Sequence, residues 1–359
     1  MNSNFGRRGI LFACSLTALS FSQVAAAAGE AEEAMDDAAI VVSATRTPIE
    51  IEDAPATVTV LDQERIADEL ATDVRDLVRF EPGITVRRAP ARFGAALGTA
   101  GRAGNEDFNI RGIGGNRVLI QVDGIRSPQG FSFGAQNVGR GNATDVGLIK
   151  SVEILRGPAS ALYGSDGLSG AVSFVTSDPV DFIQNGNSFG GFARAQYSSA
   201  DEELSETIAL AGQTGNFSAM LAYSRRDFKE LENQGTIDTE NGTRTTPNPQ
   251  DGESNAFLGK LVWQDGSHKI RLTGEYLERE IFSEILSGRG PVFLFGPTPS
   301  WIVDSLTADD TTKRTRASID YTYDAGEESD GFIDYAPTRR FNAETLRPYQ
   351  SYSRHKRNF

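Results

Sequence analysis

Few side chains here can do chemistry, and their types narrow what that chemistry is. The 359 residues hold two histidines, His268 and His355, and one cysteine, Cys14. A multi-histidine metal centre or a thiol–imidazole nucleophile therefore lacks its parts within this chain. What remains is charge set among glycine. Between Phe108 and Val175, Arg111, Asp123, Glu153, Arg156 and Asp166 are interleaved with Gly112, Gly114, Gly115, Gly124, Gly157, Gly164 and Gly170, with Tyr163 beside Gly164. Charges buried in so tightly turned a stretch must be paired, either within the stretch or with a surface that encloses it. The glycines do not make a nucleotide cradle. Gly112-Ile-Gly-Gly115 precedes its strand, whereas a dinucleotide loop follows one, and no phosphate-binding lysine follows Gly157 to Gly164. A net charge of −14 disfavours nucleic acid, whose phosphates demand clustered Lys and Arg.

Three β-rich runs carry these residues: Val118 to Val122, Ile149 to Leu155 and Ala171 to Val175. Upstream, Thr57 to Asp62 reads as a strand, and Ile66, Leu70, Val74, Leu77 and Val78 recur at helical spacing until Pro82 and Gly83 break the pattern. The result is an α+β module. Arg87 to Gly104, rich in Gly, Ala and Arg without a period, reads as a loop.

After Asp178 the period becomes two. Ala193, Ala195 and Tyr197, then Phe217, Ala219, Leu221 and Tyr223, then Ile270, Leu272, Gly274 and Tyr276, and last Ala317, Ile319, Tyr321 and Tyr323 alternate with small, polar or charged residues. Such runs suit strands with one lipid face and one polar face, with Phe217, Tyr223, Trp263 and Tyr276 at interfacial girdles. A soluble sandwich shares the alternation. Connection lengths favour the barrel: Gly215-Asn216 and Asp265 to Ser267 are tight, while Phe228 to Asn255 and Glu278 to Lys313 are long and polar.

The runs FNIRGIGGNRVLIQVDGIR and VEILRGPASALYGSDGLSGAV resemble the plug domain of TonB-dependent outer-membrane receptors, closely from Ile40 to Thr176. The resemblance implies an α+β plug domain over 47–178, followed by an antiparallel transmembrane β-barrel that begins at 179–335 and is incomplete in this chain. It also implies a TonB box at Ile40, Val41, Val42, Ser43 and Ala44, within a flexible tether at 29–46. This β-branched segment suits addition to a partner's sheet edge; on composition alone it is equally a first strand. The implied partners are TonB with its inner-membrane energising complex, outer-membrane lipid and an iron-complex ligand. That ligand is haem or haemoglobin-derived haem, with a ferric siderophore as the alternative; no cofactor is held permanently and no reaction is catalysed.

Residues 1–28 have the basic, apolar and small-residue regions of a signal peptide, so the location expected is the cell outer membrane. About six strands can be counted, with a seventh starting at Gly331 to Tyr335, against the ~22 of a plugged transporter. Beyond Tyr335 the alternation stops and Arg339, Arg340, Arg347, Arg354, Lys356 and Arg357 face Glu344 alone. Residues 336–359 are therefore expected to be an aberrant basic tail of a truncated or frameshifted product, outside the barrel. Such a product could instead be a soluble periplasmic plug-like binding module. A signalling receptor is disfavoured, because about ten residues ahead of Ile40 are too few for a further domain.

Overall fold

The computed structural model describes residues 57–88, 90, 106–130, 139–140, 144–159, 166–183, 186–293 and 296–323, and the backbone alone at 40–41, 49–50, 132–133, 136–137 and 339–357. The signal peptide, most of the tether, Val42, Ser43, Ala44, Tyr163, Gly164 and the seventh-strand start at Gly331 to Tyr335 lie outside the described residues.

The N-terminal module is built on a mixed sheet. β1 (Thr57–Leu61) pairs antiparallel with β3 (Ile149–Arg156), which pairs antiparallel with β4 (Gly170–Thr176). β4 in turn runs parallel to β2 (Val118–Val122). One sheet face, with Ile120, Val122, Val152, Ile154, Val172 and Phe174, packs on Ile66, Val74, Leu77 and Val78 and on the small sheet that carries Ile84, Val86, Phe108 and Ile110. The helix is shorter than its periodicity suggests. α1 (Gln63–Asp68) starts where Asp62 accepts a 2.8 Å bond from the Arg65 N–H. It stops because the chain turns back at Leu70, whose φ of 51° leaves that side chain 65% exposed. A 3-10 turn, Asp76–Val78, then returns Leu77 and Val78 to the core. At Gly170 the two backbones come so close that a Cβ would lie 2.3 Å from the Leu155 carbonyl oxygen; only glycine fits there.

The rest is a wall of long antiparallel strands: β5 (Phe189–Ser198), β6 (Glu203–Thr214), β7 (Phe217–Lys229), β8 (Gln250–Asp265), β9 (His268–Glu284) and β10 (Trp301–Tyr323), each paired with the next. The strands run further into the long connections than the sequence pattern indicates, leaving 230–249 and 285–300 between them. Trp301 packs against the cluster of Phe228, Ile281 and Leu306. The expectation that the basic stretch lies outside the barrel sheet is corrected over 339–357. β11 (Arg339–Arg357) pairs antiparallel with β10 from Tyr321 to Ile302, so this basic stretch extends the sheet. Strand pairing uses backbone N–H and C=O, which a loss of apolar alternation does not remove.

The wall is apolar where it is exposed and charged where it is buried. Leu221, Leu272 and Ile319 are 63%, 43% and 40% exposed, whereas Lys260, Arg314 and Arg316 are 3%, 0% and 1% exposed. A water-soluble sandwich hides its apolar face; a lipid-facing barrel shows it. On the exposed face Tyr223, Phe257 and Tyr276 stand side by side across three strands. Their hydroxyls reach polar neighbours, Tyr223 donating to Asn255 at 2.7 Å and Tyr276 to Glu278 at 2.6 Å. A second row, Phe217, Trp263, Ile270 and Tyr321, lies in register near the tight turns. These are the two girdles at which apolar ring and polar tip meet a membrane boundary.

Candidate functional site

The module packs on the polar face of the wall, and two groups of charges join them. The first is in the tight-turn half. Asp123 and Gly124, at φ 48° and 73°, make the two-residue turn after β2, a conformation suited to this residue pair. The turn aims the Asp123 carboxylate at the wall. Thr176 donates to it twice, through N–H at 2.8 Å and Oγ1 at 2.7 Å, and the Arg316 guanidinium lies 2.8 Å away. Arg316 also donates to the Val122 carbonyl at 3.0 Å and is held on its own strand's neighbour by Glu275 at 2.6 Å. One turn of chain further on, Asp178 receives Lys260 at 2.8 Å and Arg271 at 3.1 Å, and Lys260 donates to the Thr176 carbonyl at 3.0 Å. Burial pushes the Asp123 carboxyl up, but Lys260, Arg316 and the Thr176 bonds outweigh it and hold it well below the usual carboxylate range. Asp178 is held low in the same way by Lys260 and Arg271 against the effect of burial.

The second group lies toward the long connections. Arg88 of the module binds Asp201 of the wall at 3.0 Å and Asp73 at 3.6 Å. Arg226 holds Glu203 at 2.5 Å, and Arg279 reaches Glu106 of the module at 3.3 Å. Above it opens a cavity of about 770 Å³ between module, wall and the 230–249 connection, lined by Arg75, Arg87, Arg88, Arg244 and Arg279 against Glu230 and Glu232. Arg244 is a keystone of that connection: it donates to the carbonyls of Pro247 and Thr239 and pairs with Asp238. Among the described lining residues five guanidinium groups outnumber Glu230 and Glu232, and although Arg88, Arg244 and Arg279 also hold carboxylates behind the lining, the excess suits an anionic guest.

The charges singled out from sequence divide between these surroundings. Asp123 pairs with the wall. Arg156 pairs with Glu81 and Asp166 with Arg126, both inside the module. Glu153 is buried in β3. Arg111 is exposed and with Gly112 makes the turn after the strand Asp107–Ile110, while Gly114 lies in the short strand paired back to it and Gly115 begins a 3-10 turn. Gly157 meets nothing within 4 Å of its would-be Cβ. Ile40 and Val41 pair, by backbone, with Ile49 and Glu50. The wall's contribution, Lys260, Arg271, Arg279, Arg314 and Arg316, escapes a motif search. Its signal was present all the same: charged residues at alternate positions of otherwise membrane-like strands need partners.

Residues 50–171 match the TonB-dependent Receptor Plug Domain family. The chain is similar to hemoglobin-haptoglobin-binding protein A of Haemophilus influenzae, 38% identical over 176 residues, covering 46% of this chain and 16% of that protein. It is similar also to the hemin receptor of Yersinia pestis, 31% identical over 225 residues, covering 63% of this chain and 30% of the receptor. Its fold is like that of the FrpB iron transporter from Neisseria meningitidis (F3-3 variant), with a TM-score of 0.58 at 20% identity, over 82% of this chain and 41% of that one. The chain thus spans less than a third of either curated relative.

Proposed function

Because the chain belongs to the TonB-dependent outer-membrane receptors, with its wall in the outer membrane, we propose that it serves energy-coupled uptake of an anionic iron complex. The observation that carries this reading is the arginine-lined cavity between plug and wall, bordered by the 230–249 connection. The names of the two relatives support haem, whose propionates match guanidinium donors. A ferric siderophore is the second reading, favoured by one observation: among the described residues no histidine lines the cavity to ligate haem iron, His268 lying at the opposite, tight-turn end. No bond of the ligand is made or broken. TonB captures Ile40 to Ala44 by strand addition, taking Ile40 and Val41 from their present pairing with Ile49 and Glu50, and traction on this segment moves the plug.

Growth of a strain carrying the full-length gene, with haem or a ferric siderophore as sole iron source, tests this reading. Growth on one source, abolished by Val41→Pro, is the result expected, because proline removes a strand donor. Undiminished uptake by Val41→Pro would overturn the coupling role of the segment, and growth on neither source would overturn the ligand class.

A further inference from the structure

We infer that the closed plug carries two protons in its contact with the barrel wall, one on Glu106 and one on Asp145, and surrenders them to water when it moves. In the group toward the long connections, Asp73, Glu106, Asp145, Asp201 and Glu203 are all buried. Among the described residues, three guanidinium groups make ion pairs with them, those of Arg88, Arg226 and Arg279. Five carboxylates sharing three directly contacting guanidinium groups cannot all be closely paired, and a buried carboxylate without a close counter-charge takes up a proton in preference to staying ionised.

Geometry says which two. Arg88 is shared by Asp73 and Asp201, and Arg226 grips Glu203 through two nitrogens, at 2.5 and 3.2 Å. Glu106 is 0% exposed; its Oε2 has one long 3.3 Å contact with Arg279 and its Oε1 has no hydrogen-bond partner. Asp145 is 4% exposed; its Oδ1 accepts the Gly147 N–H at 2.9 Å and its Oδ2 has none. Each therefore has a bare oxygen, which suits a protonated carboxyl and not a carboxylate. A metal ion is the alternative counter-charge, but among the described residues no three acidic, histidine or cysteine groups are placed to hold one.

The surrounding charges push the same way. Burial raises the Glu106 carboxyl, and Asp73 adds to this against Arg279, Arg88 and Arg226. Burial likewise raises Asp145, outweighing Arg226 and the hydrogen bonds from the Ser224 hydroxyl and the Gly147 N–H, with Glu203 adding to the rise. Asp73 differs: burial raises it too, but Arg88, Arg226 and Arg279 outweigh that, so it stays ionised and consumes their charge. For a carboxyl raised in the closed state, the closed state binds more protons than the open one. Its contribution is complete below the ordinary carboxylate range, about pH 4, and is lost as pH rises through the raised value.

The experiment is urea-induced plug release in the full-length receptor, read by protease access to the plug from about pH 4 to about 8. Release is expected to become easier as pH rises, the release equilibrium changing about tenfold per pH unit for each proton. Glu106→Gln and Asp145→Asn, which mimic the protonated forms, should each flatten the slope by about one proton, and the double variant should lose it. Infrared absorption of the closed receptor supplies a second readout: a protonated-carboxyl band that each single variant diminishes. A wild-type release curve that does not fall as pH rises, a double variant with the wild-type slope, or no such band, would overturn the inference. Neither readout requires ligand, so its failure is separate from failure of the uptake reading.

Discussion

Among the described residues near the tight turns, four carboxylates, Asp123, Asp178, Glu275 and Asp320, pair with five cations, Lys260, Lys269, Arg271, Arg314 and Arg316; among those near the long connections, five buried carboxylates share ion pairs with three. Both groups join the same plug to the same wall. With cations in excess every carboxylate can stay ionised and each contact is charge-assisted, whereas a shortage of cations forces carboxyls to be neutral. The two ends of one interface should then differ in strength and respond to acid in opposite directions.

The largest effect should come from Lys260→Met. It removes two hydrogen bonds of a buried ammonium, one to Asp178, which keeps Arg271, and one to the Thr176 carbonyl, at a cost to plug retention of about 3 to 5 kcal/mol, read as a lower urea midpoint of plug release. Gly170→Ala is the control that weakens the plug itself and spares the interface. Its Cβ would crowd the Leu155 carbonyl, costing about 1 to 3 kcal/mol in the same assay. Arg279→Met should cost only about 1 to 2 kcal/mol at neutral pH, since Glu106 beside it needs no counter-charge when protonated; a loss equal to that of Lys260→Met would break the comparison. Acid sharpens it. Asp123 and Asp178 are held low, so their contribution is present above about pH 4 and is lost as pH falls through their lowered values; plug release measured below that pH should become easier in wild type and less so in Asp123→Asn. The smallest effect belongs to Lys150→Ala, whose partner is Asp181 and whose side chain is 48% exposed. It should change the midpoint by less than about 1 kcal/mol.

The plug's strands were legible because Val, Ile and Leu runs bounded by glycine leave little choice of structure. Leu70 fits the helical spacing but lies outside the helix, which the backbone ends two residues earlier. Alternation reveals β7, β9 and β10 but hides β6 and much of β8. In those strands Ala209, Ala211, Ala256 and Leu258 point inward onto Leu148, Phe182 and Ile183 of the plug, so both faces are apolar and the period of two disappears. The partner of Asp123 was beyond reach for another reason: pairing inside the plug and pairing with the wall satisfy the same physics, and only the fold brings Arg316 to it. The basic stretch of β11 misled because composition was taken to govern strand pairing, which the backbone governs.

The girdle rows have a consequence for where the protein can reside. Phe217 to Tyr223 and Ile270 to Tyr276 are each six steps along a strand, about 20 Å at ~3.3 Å per residue, and strand tilt shortens the height further. A bilayer whose hydrocarbon is much thicker would press acyl chains onto Arg225 and Glu278, one row beyond the upper aromatics. By this measure the wall is a thickness gauge, matched to a thin membrane such as the bacterial outer one and ill-suited to a thick, sterol-rich one.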